Sequence, residues 1–376
     1  MNNIHEKFIA MKNKKLHYNK SIHIMNRYKP ICTTKFGLLL YRKEKLYIMD
    51  VDDGGIEFIC NLKIEDKRRM FCFSDFSTRL MHISVYCGIG IDDGALIAFN
   101  KGVYYVNVKE KKVEREHSFR NTGMRRPLNF VCIDNVGGCK GIYYGEYFSN
   151  EKRDKVYIWN RNEKKQWNVV YRFEHNMIRH VHAIVPDIYN DRVLISTGDL
   201  DKESAIFYTK DGFRTLEKLV SGSQMYRTCC LFPDKDGIII VTDSPYDTNY
   251  VYHYNNNDKQ IQIIKEITGP VVFYTVHKNK LVFATNVEND GRYRSYISQI
   301  LRNERGPGVK DWYVHMYYGD IDSGFKEVVK MKKDIWPMIP FGFGNVHFVQ
   351  EMPGNRLFFY PTAVKKYNEK LCNINL

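Results

Sequence analysis

DRVLISTGDLDKESAIFYT, residues 191–209, is an apolar strand, an acidic corner, a polar loop and a second strand, and RTLEKLV at 214–220 adds a turn and a further strand. The same order recurs in GIYYGEYFSNEKRDKVYIWN (141–160) with WNVVYRF (167–173), and in GIIIVTDSPYDTNYVYHYN (237–255) with IQIIKEI (261–267). A fourth copy is read in KLVFATNVENDGRYRSYIS (280–298), whose second strand is RYRSYIS, with WYVHMYY (312–318) as the strand after it. The copies start near 141, 191, 237 and 280, a period of roughly 43 to 50 residues that suits four-stranded propeller blades. Divided by that period, the chain makes about seven blades, with six as the alternative. The expectation is all-β: one β-propeller over 28–376, after a polar, basic stretch at 1–27 that forms an arm or a first outer strand.

The rest of the chain agrees. Short alternating strands bounded by Gly, Asn and Asp fill 28–62 and 82–117, and no 3.6-residue periodicity persists through a dozen residues. The 27 Tyr and 22 Phe suit strands, first as core and cross-strand pairs, and then sugar-facing surfaces. Net charge of +14 favours an acidic partner. Nucleic acid has charge and aromatics in its favour but no recognised module, and it is not expected as a partner. Nine cysteines without a CxxC spacing read as reduced, buried small hydrophobes, those at Cys60, Cys72 and Cys132 in apolar strand sequence. The N-terminal residues lack the apolar core of a signal peptide, and no window is long enough to span a membrane. A cytoplasmic protein is expected, with another export route left open.

Propeller geometry turns the repeat into a site. With strands A to D numbered from the axis outward, the connection from D to the next A and the loop from B to C open on one face. The acidic corners Glu146, Asp199 and Asp243 sit at or near B-to-C. His180, His182, Gln224 and Arg227 sit where A strands begin, as do Asn345 and His347 in the last blade. Residues from several blades therefore meet at one mouth, while the turn at 210–213 joins C to D on the opposite face.

The hairpin Thr209-Lys210-Asp211-Gly212-Phe213-Arg214-Thr215-Leu216 resembles an Asp-box, with Phe213 and Leu216 departing from the pattern. Together with Gly145-Glu146-Tyr147, RHVH (179–182), TGDLDKE (197–203), GSQMYR (222–227) and TDSPY (242–246), it resembles the sialidase-like BNR/Asp-box propellers associated with bacterial polysaccharide processing. The resemblance spans roughly residues 128–270. It implies a propeller with a carbohydrate-linked role. The arginine triad of true sialidases has no counterpart in this sequence, so sialic-acid hydrolysis is not expected.

Residue chemistry supplies the candidate roles. His180 and His182, two apart on a strand, point the same way. With Glu146, Asp199 or Gln224 they could bind a divalent cation or act as general acid and base. Propeller polysaccharide lyases are similar to this arrangement. The resemblance implies Tyr147 or His180 as proton acceptor, His182 as orienting residue or metal ligand, and Arg227 neutralising a uronate. Glu146 with Asp199 could instead be the carboxylate pair of a glycoside hydrolase. Gln224, Arg227, Asp243 and Glu203 are candidate substrate-binding residues. The expected function is cleavage of an acidic oligo- or polysaccharide, by elimination or hydrolysis. The alternative is a non-catalytic glycan-binding or scaffold propeller.

Overall fold

The computed structural model describes residues 22–64, 67–292, 295–349 and 355–376. Among these, seven antiparallel sheets are arranged as the four-stranded blades of a β-propeller, the third extended by a further two-residue strand. Blades 1 to 6 occupy 29–61, 87–118, 131–173, 180–221, 228–267 and 271–332. Blade 7 takes three strands from 345–375 and its outermost strand from His23–Asn26, which pairs antiparallel with Leu371–Asn375. This join ties the two ends of the chain together and covers an edge that would otherwise be open to pairing with another chain.

Strand position explains strand composition. The B strands GALIAF (Gly94–Phe99) and GIIIVT (Gly237–Thr242) are buried at every residue. Each lies between two neighbouring blades, so both of its faces must be apolar. The outer D strand of blade 2, KVEREHS (Lys112–Ser118), carries charge because it meets water. Packing follows the same plan: seven apolar clusters occur among the described residues, one at each junction between adjacent blades. The core is thus a ring of blade–blade interfaces.

Four of the A strands share a further device. Their pairing with B slips between Pro30 and Cys32, Val181 and Ala183, Thr228 and Cys230, and Val271 and Tyr274. Each slip is a β-bulge, which leaves a residue out of the ladder and re-aims it. The residues left over include His182, Cys229 and Phe273, and all three line cavities at the centre of the ring.

Blade 6 departs from the sequence expectation. Tyr296–Arg302 is an α-helix, capped where Ser295 Oγ accepts the Ser298 amide and ended by Asn303 in the left-handed region. It sits in a long B-to-C insertion, so the segment at 312–318 belongs to strand C (Tyr313–Asp320) and strand D is Gly324–Lys332. A serine cap three residues ahead of its partner outweighed a tyrosine-rich, strand-like composition. Cys132 is exposed rather than buried, because it faces outward from its strand. The described cysteines form no disulfide, and no described helix is long and apolar enough to cross a membrane.

The hairpin at 209–216 joins strands C and D of blade 4. The Asp211 carboxylate accepts the amide and hydroxyl of Thr215 at 2.9 and 2.7 Å. Gly212 and Phe213 both take positive φ, and the Gly212 amide donates to the carbonyl of Gly137 in blade 3. The turn thereby locks two blades on the face away from the A-strand starts.

Candidate functional site

Blade 4 supplies the centre of the site. Strand A (His180–Asp187) opens with His180, and the bulge frees His182 from the ladder. Strand B ends at Gly198, and Asp199 follows at once. The two Nε2 atoms of His180 and His182 stand 3.0 Å apart, and Asp199 Oδ1 lies 3.4 and 3.2 Å from them. Gly198 makes this possible: a Cβ there would come within 2.5 Å of His182 Cε1. Gly198→Ala is therefore expected to push the imidazole off Asp199 and to cost about 1–3 kcal/mol in overpacking. Urea unfolding checks the cost, and a shift of the His182 ring signals in the NMR spectrum checks the displacement.

The ionisation states follow from burial and partners. His180 Nδ1 donates to the Phe148 carbonyl at 2.8 Å, which fixes the ring with Nε2 facing the centre of the cluster. Burial lowers the His182 pKa to about 4, against the opposing pull of Asp199, so His182 is neutral near pH 7. Burial also works to raise the Asp199 pKa. Hydrogen bonds from His180 and His182 and the charge of Arg227 overcome it, and the carboxyl is held well below its usual range. For a histidine with a depressed folded pKa, the unfolded chain binds more protons as pH falls. The stability His182 contributes is complete above about pH 6.5 and is lost towards pH 4, on the order of 3 kcal/mol. Unfolding midpoints measured at pH 7.5, 6 and 5 should fall, and His182→Gln should flatten that decline.

Four further residues close around the cluster. Tyr147 packs its ring on His180 with centroids 4.2 Å apart, and burial followed by nearby acidic groups pushes its phenol well above 10. Arg179 Nη1 donates to Asp199 Oδ2 at 2.7 Å. Arg227 reaches Asp199 Oδ1 at 3.4 Å and its carbonyl at 3.3 Å. Gln224 Nε2 donates to the Asp199 carbonyl and to Asp201, both at 2.9 Å, while its Oε1 accepts from Ser244. Behind them Asp243 accepts the Cys229 thiol at 3.4 Å, and burial raises its pKa well above the usual carboxylate value.

The structure thus brings together His180, His182, Tyr147, Asp199, Gln224 and Arg227, with Asp243 behind, as the shared-face argument requires. It corrects the expectation for two acids. Glu146 points away from Tyr147 along its strand, and its oxygens accept from Arg120 at 2.8 and 2.9 Å and from the Tyr157 amide. Adjacent strand residues face opposite sides, and Tyr147 takes the side facing the mouth. Glu203 is also buried in an ion pair, with Arg153 at 2.8 Å. Gln224 is a brace, its amide already committed. Sequence reasoning passed over Arg179, Arg126 and Glu288. Arg179 precedes His180 and obeys the same rule for A-strand starts. Arg126 is delivered by a two-residue strand, Arg126–Pro127, that pairs with Tyr147 and Glu146, and no pattern in the chain announces it. Glu288 follows strand B of blade 6, as Asp199 and Asp243 follow theirs, and burial raises its pKa.

His180, Asp199, Tyr147, Arg179 and Arg126 line one open cleft of about 520 Å³. A neutral phenol, an imidazole, an ionised carboxylate and two guanidiniums therefore meet a common space. The three donor atoms of His180, His182 and Asp199 also fit a cation. Bonds of ~2.1 Å place neighbouring octahedral ligands roughly 3.0 Å apart, close to their separations of 3.0 to 3.4 Å.

No family model matches this sequence, and no curated protein matches it. Among solved structures, the chain is similar to an oligogalacturonate lyase in complex with manganese, with a TM-score of 0.52 and 10% identity over 96% of this chain and 91% of that one. It is also similar to a chain from a crystal structure of a mitotic checkpoint complex, with a TM-score of 0.50 and 7% identity over 95% and 93% of the two chains. A lyase and a checkpoint assembly share the fold, so the fold leaves the choice of function to the site. What these likenesses establish is a β-propeller.

Proposed function

We propose that the protein cleaves an acidic oligosaccharide by β-elimination in the cleft formed by His180, Tyr147, Asp199 and Arg179. The observation that carries the reading is the meeting, in one open cleft, of an imidazole, a neutral phenol and a guanidinium. His180 Nε2 takes the proton next to the uronate carboxylate, Tyr147 gives a proton to the departing glycosidic oxygen, and a carbon–carbon double bond forms between those two positions. Arg179, more open to the cleft than Arg227, holds the carboxylate whose charge grows as the proton leaves. The commitment of Glu146 to Arg120 removes one half of the paired-carboxylate alternative. The similar oligogalacturonate lyase supports a uronate substrate, and the hairpin at 209–216 supports the resemblance to BNR/Asp-box propellers.

A second form of the reading is favoured by the donor spacing. His180, His182 and Asp199 would hold a divalent cation, which would draw charge from the substrate carboxylate. Elemental analysis, and activity before and after chelation, separate the two forms. The reaction itself is tested by mass spectrometry of acidic oligosaccharides incubated with the protein. Elimination yields fragments whose masses sum to that of the substrate, one of them unsaturated. Fragments summing to substrate plus one water would mean hydrolysis, and binding without fragments would mean a glycan-binding module.

A further inference from the structure

A second cavity, of about 330 Å³, opens among blades 7, 1, 2 and 3 and joins the cleft already described: Tyr86, Arg126 and Tyr147 line both. Six cations but only two carboxylates face it. Some of these cations are already paired, Arg27 and Lys43 with Asp75 at 2.9 and 3.5 Å, and Arg79 with Asp334 at 2.7 Å. Lys29, Arg42 and Arg126 form no ion pair among the described residues. Lys29 Nζ donates only to neutral oxygens, Ser84 Oγ at 3.0 Å and the Val85 carbonyl at 2.7 Å. Arg126 lies 4.0 Å over the Tyr86 ring.

Withdrawing a cation from water without a counter-ion is costly. Burial first, and then the charge of Arg126, lowers the Lys29 pKa to about 8, with Cys87 and Glu369 opposing. Lys29 remains mostly charged near pH 7, and an incoming anion would remove that cost.

Aromatic rings beside the cavity suit a sugar. Phe341 lines it, and Phe76 and Trp336 pack against Phe341 and each other with centroids 5.0 to 5.7 Å apart. Phe76 and Trp336 remain 52% and 43% exposed. Exposed flat rings beside a cationic pocket offer stacking to the apolar faces of a pyranose and ion pairing to its acidic group.

Building on the acidic-sugar reading, we propose that this cavity is a second subsite. It receives the carboxylate of a sugar unit beyond the one at His180, with Lys29 and Arg126 as its cations and the Phe76–Trp336–Phe341 trio beneath the sugar. The preferred substrate then carries acidic groups on at least two units, and a single acidic sugar is a poor ligand.

Calorimetric titration of trigalacturonate into the His180→Ala protein tests this without cleavage. Trigalacturonate should bind at least tenfold more tightly than galacturonate, and the neutral galactotriose should not bind. Adding Lys29→Met should weaken trigalacturonate at least tenfold and leave galacturonate unchanged. Trp336→Ala, at an exposed position that leaves the fold intact, should weaken it severalfold. Unchanged trigalacturonate affinity in both variants would overturn the subsite, as would equal binding of the neutral trisaccharide. Binding of inorganic sulfate with no binding of trigalacturonate would mean a free-anion site, and would overturn it too. If trigalacturonate binds through Lys29 but the wild-type protein never cuts it, the subsite stands and the elimination reading falls. If the wild-type protein cuts and Lys29→Met leaves KM unchanged, the reverse holds.

Discussion

Under the proposed elimination, His180→Ala is expected to lower cleavage of an acidic oligosaccharide by about 10²- to 10⁴-fold, the usual contribution of a positioned proton-transfer group. The imidazole has the geometry for that role. Its Nδ1 is tied to the Phe148 carbonyl, its Nε2 faces the cluster, and Tyr147 stacks on it. The substitution also removes a buried hydrogen bond, which costs about 1–3 kcal/mol. That is too little to unfold a propeller whose core is spread over seven junctions. Product masses and a circular-dichroism spectrum, taken on the same sample, check both halves. An unchanged turnover rate in a folded variant would remove His180 from the chemistry.

Glu146→Ala should do the opposite: destabilise strongly and leave the chemistry of the folded fraction near wild type. Glu146 is fully buried, Arg120 binds both of its oxygens, and buried Arg125 approaches to 3.5 Å. Removing the carboxylate strands these cations, and breaking a buried pair in this way costs about 3–5 kcal/mol. Denaturant unfolding reads the loss directly. A loss below about 1 kcal/mol would place the pair with weak surface ion pairs. Together the two substitutions separate a mouth-facing residue of strand His180–Asp187 from a structural residue of strand Cys139–Tyr147.

The sequence carried the architecture because a propeller is written locally. Each blade repeats an apolar B strand, a polar corner and a polar, turn-bounded C strand, and period and periodicity are properties of neighbouring residues. The same local grammar placed His180, His182, Asp199 and Arg227 on one face, since antiparallel connectivity alone dictates which loops share an end. It failed in blade 6, where residues 296–302 have strand-like composition but a serine cap and a helical backbone.

Three things were decided only by the tertiary structure. Side-chain alternation shows that Glu146 and Tyr147 oppose each other, yet which of them meets the axis depends on how blade 3 packs against blades 2 and 4. The spacing of the histidine–aspartate cluster depends on a bulge in one strand and a missing Cβ in the next, brought together by a pairing register that no single segment specifies. The cationic second cavity gathers Lys29, Arg126 and Asn345 from blades 1, 3 and 7, which are distant along the chain. Sequence by itself determined the blades and the face on which the A-strand starts and B-to-C corners gather. Ring closure decided which side chains share a space, because convergence on an axis is a property of all the blades at once.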